Sequence, residues 1–134
     1  MADLIAYIQN EFDASWNSGN IEKVMHCFAD GAVVRAVPPL PGAPESFTGK
    51  AEIRGFVQML IPGFRAESAN FQQDGSKVTW FATVSSETIR QMGVDAMDAD
   101  CEAIVQHGKV KSFTPAFTQE SLAKLAAAQS REQG

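Results

Sequence analysis

The stretch SWNSGNIEKVMHCFADGAVV, residues 15–34, holds the end of one helix, a turn, a second short helix and the start of a strand. Ser18-Gly19-Asn20 is the break between the helices: glycine takes the left-handed backbone that closes the first, and asparagine accepts from the free first-turn N–H groups of the second. In that second helix Ile21, Val24, Met25 and Phe28 recur at i, i+3, i+4 and i+7. One face therefore turns inward, and Glu22, Lys23 and His26 stay outside. Asp30-Gly31 then swings the chain into Ala32-Val33-Val34-Arg35-Ala36-Val37, a strand by its β-branched content. Helix, turn, helix and strand in quick succession form the rim of a small pocket, whose chemistry depends on what the rest of the chain places there.

Upstream, Leu4, Ile5, Ile8, Phe12 and Trp16 share one helical stripe that runs into the turn. Downstream, PPLPGAPES (38–46) is too rich in proline to pair regularly and reads as an exposed, stiff loop near the pocket mouth, a lid. Thr48-Gly49 opens a third helix with Ile53, Phe56, Val57, Leu60 and Ile61 along one side, and Pro62-Gly63 ends it. From there the apolar period changes from about 3.6 to about 2 residues. Residues 64–73, 77–90, 96–106 and 109–117 read as four successive strands, with turns at Asp74-Gly75-Ser76 and His107-Gly108 and a break near Gln91-Met92-Gly93. Thr118 caps a last helix from Gln119 to about Ala128, whose Leu122 and Leu125 dock on the domain before a polar tail, QSREQG, from 129.

The 134 residues read as one domain, 1–134, large enough to bury a core without staples. A net charge of −5 leaves no basic stripe for phosphates, which argues against nucleic acid. The start of the chain, with Asp3 and no basic region, reads as neither a signal peptide nor a membrane span, so the expected location is cytoplasmic. Cys27 and Cys101 are too few for a disulfide framework and lack zinc-site spacing; both read as buried free thiols.

Helices first and antiparallel strands after them specify an α+β fold. We expect a cone-shaped, strongly curved, mostly antiparallel sheet wrapped around the N-terminal helices, with a short C-terminal helix and a cavity between sheet and helices. In Val78-Thr79-Trp80-Phe81-Ala82-Thr83-Val84, Phe81 breaks the apolar alternation. The outer sheet face is then partly apolar too, and is covered most simply by a second copy of the chain.

The order of elements, with WNSGNIEKVMHCFADGAVV and FTGKAEIRGFVQ, resembles the nuclear transport factor 2-like superfamily, and within it the polyketide cyclase (SnoaL-like), ketosteroid isomerase and limonene epoxide hydrolase branch. Trp16-Asn17-Ser18-Gly19-Asn20, Phe28-Ala29-Asp30, Gly49 and Gly108-Lys109-Val110 carry the resemblance, which runs from residue 4 to about 125. These pieces set turns, caps and contacts, so the resemblance implies the fold and leaves the chemistry open. Aligned on them, the isomerase's tyrosine falls on Phe12, its base on Ala36 and its second acid on Cys101, or on Asp100 without a deletion in the hairpin. A base is worth roughly 10²–10⁴ in rate and an oxyanion donor about 10²–10³, so Phe12 and Ala36 remove that reaction. The Arg-x-Asp of the epoxide hydrolase is replaced by WFATVSS, and the cyclase's aspartate near the last strand by KSFTPAF.

His26 falls on an outer helix face and His107 in a hairpin turn. Asp98, Asp100 and Glu102 alternate with the inward set Met97, Ala99, Cys101, Ala103 and Val105, and form a solvated row rather than a metal site. Asp13 sits beside the Phe12 stripe, within reach of a pocket mouth, but reads first as part of a solvated helix face; Arg35 and Arg54 read first as surface ion-pair residues, with anchoring of an anionic ligand group as the alternative. No Ser-His-Asp or Cys-His arrangement, phosphate loop or dinucleotide fingerprint occurs, so no cofactor and no metal is expected. The expected pocket lining is Phe12, Trp16, Val34, Ala36, Met59, Trp80, Cys101, Ala103, Phe113 and Phe117, aromatic and aliphatic, with small residues where the relatives place acids. The first reading is a homodimer, paired through the outer sheet face, whose pocket binds a small, largely apolar molecule. The alternatives are an isomerase, cyclase or epoxide hydrolase-type enzyme using Asp13, Asp100 or Cys101, and a non-catalytic interaction module whose cone is filled by its own side chains.

Overall fold

The N-terminal stripe becomes a helical rod of three parts: α1 (Leu4–Tyr7), a π-helical segment (Ile8–Asp13) and α2 (Ala14–Ser18), in a computed structural model that describes residues 4–37 and 44–133. Tyr7, Asp13 and Ala14 keep right-handed helical backbone across the joins. Ile8, Phe12 and Trp16 are spaced by four, a step that drifts about 40° round the axis of a regular α-helix. The wider i→i+5 turn takes up part of that drift, and all three side chains are buried. Gly19 closes the rod at φ 74°, and Asn20 Oδ1 accepts from Lys23 N at 3.2 Å to start α3 (Ile21–Cys27). On α3 Val24, Met25 and Cys27 are buried while His26 is exposed.

β1 (Phe28–Val34) begins directly after α3, earlier than the β-branched run suggests, because Phe28 is fully buried and already pairs with Val110. The two-residue β2 (Phe47–Thr48) pairs with the end of β1 and leads into α4 (Gly49–Leu60), where Thr48 N donates to the Glu52 carboxylate at 3.1 Å. Residues 38–43 of the loop read above as a lid lie outside the described residues. The meander β3 (Arg65–Asp74), β4 (Lys77–Ser85), β5 (Met97–Gln106) and β6 (Lys109–Phe117) completes a six-stranded sheet of order β2-β1-β6-β5-β4-β3. Neighbours are antiparallel throughout except β1 and β6, which run parallel. His107 and Gly108, at φ 55° and 73°, make the tight turn between β5 and β6 that demands two left-handed residues.

Several expectations need correction. Phe28 is strand rather than the last residue of the helical stripe, Asp30-Gly31 lies within β1 rather than forming a turn, and the strand expected over 32–37 stops at Val34. The strand expected over 77–90 ends at Ser85, where the fully buried Ser86 accepts from Ile89 N at 3.2 Å and caps a short helix, α5 (Glu87–Gln91). The last helix, α6 (Gln119–Gln133), runs on past Ala128 through the residues that composition reads as a polar tail. Alanines and long polar side chains cost a helix little, which is why polarity there does not end it. Thr118 Oγ1 accepts from Ser121 N at 3.2 Å at the start of α6, and Asp98 N donates to Ser121 Oγ at 2.7 Å, fastening α6 to β5.

The core follows the strand registers. Val78, Ala103, Val110, Phe28 and Val34 are fully buried and fill one end of the sheet's concave face beneath Ile8 and Phe12. At the other end Ile89, Met97 and Leu125 form a smaller cluster under α5 and α6. Among the described residues no helix is long and apolar enough to cross a membrane.

Candidate functional site

Between these two clusters the sheet contributes two cross-strand rows to its concave face. Trp80 pairs with Cys101 and Cys101 with Pro115; Ala82 pairs with Ala99 and Ala99 with Phe117. The second row is small in its middle. Opposite it, the rod presents Phe12, Asp13 and Trp16, α4 presents Phe56 and Leu60, and Ala36 enters from the chain after β1. The space left is an apolar cavity of about 60 Å³, bordered also by Phe64, Ala66, Val84, Ile89 and Phe113.

Rings make the walls. Phe12 meets Trp16, Phe28, Trp80 and Phe113 edge-on, with centroids 6.4, 5.6, 6.4 and 5.1 Å away. Trp16 also packs on Phe56 at 6.0 Å and Phe64 at 4.8 Å, and Trp80 stacks on Phe113 at 6.0 Å. An apolar cavity of about 150 Å³ accommodates benzene. The 60 Å³ present therefore encloses only a few heavy atoms, and anything larger must extend past the half-exposed Phe64 and Phe117.

Of the residues expected to line the pocket, Phe12, Trp16, Ala36, Trp80, Cys101, Phe113 and Phe117 border this cavity. Val34 and Ala103 do not: both are fully buried toward the filled end of the sheet, Ala103 opposite Val78 and Phe113. Met59 is half-buried, because the turn of α4 points Phe56 and Leu60 inward instead. Ala82 and Ala99 could have been found by carrying the alternation of Trp80 and Cys101 one step along each strand.

Asp13 is the larger correction. Instead of lying on a solvated face it is half-buried on the cavity wall, between Phe12 and Trp16 on the rod. Burial pushes its carboxyl above the ordinary aspartate range, and the Ser68 hydroxyl, which completes no full hydrogen bond, pulls it partly back. Among the described residues no lysine or arginine pairs with it. The Cys101 thiol is pushed up to about 12 by burial, with the charges of Asp13 and Asp100 adding to the effect. Such a thiol stays protonated at neutral pH and makes a poor nucleophile. Trp16 Nε1 is enclosed without a hydrogen-bond partner among the described residues.

The rod is fixed against the sheet beside this site. Asn17 imitates a strand neighbour: its Nδ2 donates to Ala66 O at 3.2 Å and its Oδ1 accepts from Ala66 N at 2.8 Å. Asp100 is exposed on the outer face, where Asp98 accepts from Thr83 Oγ1 at 2.7 Å and Glu102 faces Lys77 at 3.6 Å. Cys101, not Asp100, therefore faces the cavity. Arg54 forms an exposed two-pronged pair with Glu22 at 2.6 and 3.2 Å, and Arg35, His26 and His107 are exposed. Among the described residues no three histidine, cysteine, aspartate or glutamate side chains gather as a metal site.

With this geometry in hand, the chain can be set beside known proteins. The model of the SnoaL-like domain family matches residues 9–109, about three quarters of the chain. No curated protein matches. Among solved structures, TerC co-crystallised with polyporic acid is 20% identical with a TM-score of 0.71, the match covering 92% of this chain and 97% of that one. A hypothetical protein with a ketosteroid isomerase-like fold from Catenulispora acidiphila, in complex with trimethylamine, is 18% identical with a TM-score of 0.68, covering 89% of this chain and 92% of that one. An NTF2-like protein of unknown function from Cytophaga hutchinsonii is 12% identical with a TM-score of 0.66, covering 87% and 91%. Identities this low establish a shared fold and carry no ligand from one chain to another.

Proposed function

Because the chain belongs to the SnoaL-like domain family of the nuclear transport factor 2-like superfamily, we propose that it binds a small, largely apolar molecule in the cavity between its helical rod and its sheet. The observation that carries this reading is the lining itself. Aromatic walls and the small row Ala82-Ala99 leave an apolar space that water fills poorly, so an apolar guest gains by entering it. The motif resemblance puts Phe12 and Ala36 where the isomerase relatives need a hydroxyl donor and a base, which supports a site that holds its guest over one that transforms it.

Thermal denaturation of the purified chain against a graded series, tert-butanol, cyclohexanol, indole and a steroid, tests the reading. A guest at about 100 times its dissociation constant adds roughly 2.7 kcal/mol, a rise of several degrees in a domain of this size. The shift is expected to be largest for the smallest guests and to vanish in Ala36→Val, which fills the cavity. No shift with any member overturns the proposal.

A second reading is favoured by one observation, the place of Asp13: an enzyme in which that carboxylate moves a proton. It requires deuterium exchange into a small enolisable ketone such as acetone, lost in Asp13→Asn. We also propose that two copies pair through the outer sheet face, where Phe81 is only half-buried in a single chain. Sedimentation should find a dimer, and Phe81→Glu should dissociate it.

A further inference from the structure

The cavity contains an electrostatic asymmetry that a neutral guest leaves unresolved. Asp13 is the one acid on its wall, it is half-buried, and no lysine, arginine or histidine borders the cavity among the described residues. A carboxylate withdrawn from water is stable when it finds a counter-charge. This one finds none within the described protein, since the ion pairs there lie elsewhere, Lys50 with Asp30, Arg54 with Glu22, Lys77 with Glu102 and Lys124 with Glu120. The same cavity is bordered by aromatic rings, Phe12, Trp16, Phe64 and Trp80 among them, and a π-face that a cation can approach within about 6 Å of its centroid attracts it. The chain's net charge of −5 acts in the same direction at long range.

We infer that the guest of this cavity carries a compact positive charge, an alkylammonium group for which Asp13 is the counter-ion and the rings are the cage; this rests on the reading of the cavity as a binding site. Size selects within the class. By the benzene scale about 60 Å³ encloses only a one- or two-carbon ammonium head, so a bulkier head such as tetramethylammonium seats part of itself there and extends past the half-exposed Phe64 and Phe117, while a ring-sized one is excluded unless side chains move. Anions are excluded by the unpaired carboxylate itself.

The test uses isosteres on the full chain at pH 7.5 and fixed ionic strength: tetramethylammonium, the neutral tert-butanol and the anion pivalate. Binding is read from thermal shift and from the fluorescence of Trp16 and Trp80, both on the cavity wall. Tetramethylammonium is expected to bind at least tenfold more tightly than tert-butanol, with pivalate weakest. In Asp13→Asn the preference should fall to within about twofold while tert-butanol affinity is kept. Equal or tighter binding of tert-butanol by the unmodified chain overturns this inference and leaves the apolar-guest reading intact. No binding of any isostere, together with no shift across the neutral series, overturns both. An ammonium preference that survives in Asp13→Asn removes Asp13 from the role. The comparison within the unmodified chain holds even if the variant fails to fold.

Discussion

Phe12→Ala is the substitution that bears most directly on how the cavity is walled. The ring is 1% exposed and touches four other rings edge-on, so its removal strips packing from both the rod and the sheet. Truncating a buried phenylalanine costs about 3–5 kcal/mol, the spread depending on how far neighbours collapse into the space. Against a total stability of about 5–15 kcal/mol this is severe but survivable. It corresponds to a fall in melting temperature of about 10–20 °C for a domain of this length. The vacated space would also join the 60 Å³ cavity and bring it near the roughly 150 Å³ that takes benzene. Urea denaturation followed by circular dichroism, with and without benzene, reads both effects. The midpoint should drop with little change in slope, and benzene should restore part of the loss in the variant and none in the parent. Phe12→Leu, which keeps most of the volume, should cost about 1.5 kcal/mol or less. A loss below about 1.5 kcal/mol for the alanine variant, or no response to benzene, would refute the account of Phe12 as a rigid wall between filled core and open cavity.

Asp13→Asn should raise the melting temperature at pH 7. Burial lifts the folded carboxyl, so the folded state holds its proton more tightly than the unfolded chain; the stability this contributes is full at low pH and is lost as pH rises through the carboxylate range. Parent and variant should therefore converge below about pH 3, and identical melting at pH 7 would contradict the burial argument. Asn20→Ala should cost about 1 kcal/mol through loss of the α3 cap, with Asn20→Asp largely neutral; equal costs for the two would show that Asn20 acts otherwise. Cys101, with a thiol near 12, should react with a disulfide reagent at pH 8 at least about 10³-fold more slowly than a free thiol, as followed by peptide mass mapping. Fast labelling of the folded chain would mean that the cavity opens widely.

The parts of the fold legible in the sequence are those fixed by local chemistry. Gly19 and Asn20 end one helix and start the next whatever the rest of the chain does, and His107-Gly108 can hardly be anything but a tight turn. What local pattern does not carry is set by distant partners. Residues 86–90 look like strand continuing from Trp80, yet a buried serine cap turns them into helix beneath α6. Phe28 belongs to a strand because of Val110, far along the chain. The cavity was legible in outline: alternation placed Trp80, Cys101 and Phe113 on one face, and helical spacing placed Phe12 and Trp16 opposite them. Where along the strands the face is filled and where it is open depends on the relative sizes of Ala82, Ala99, Val34 and their opposing rings, which no periodicity encodes. For Asp13 the sequence offers both a solvated face and a pocket mouth and favours the first, because a charged residue beside an apolar stripe usually faces water; here a sheet curling over the rod half-buries it on the cavity wall.

The parallel pairing of β1 with β6 also governs the order in which the molecule can assemble. Val33 waits for Ser112, nearly eighty residues later. At about 5–20 residues per second on the ribosome, that is several seconds. Throughout that interval β1 has only the two-residue β2 at one edge, and its other edge waits for β6 to join it to the meander. The final hairpin therefore acts as the closing step of folding. A nascent chain stalled before Lys109 should be the species that chaperones hold and proteases cut, while a chain released after Phe117 has every strand it needs to shut its cone.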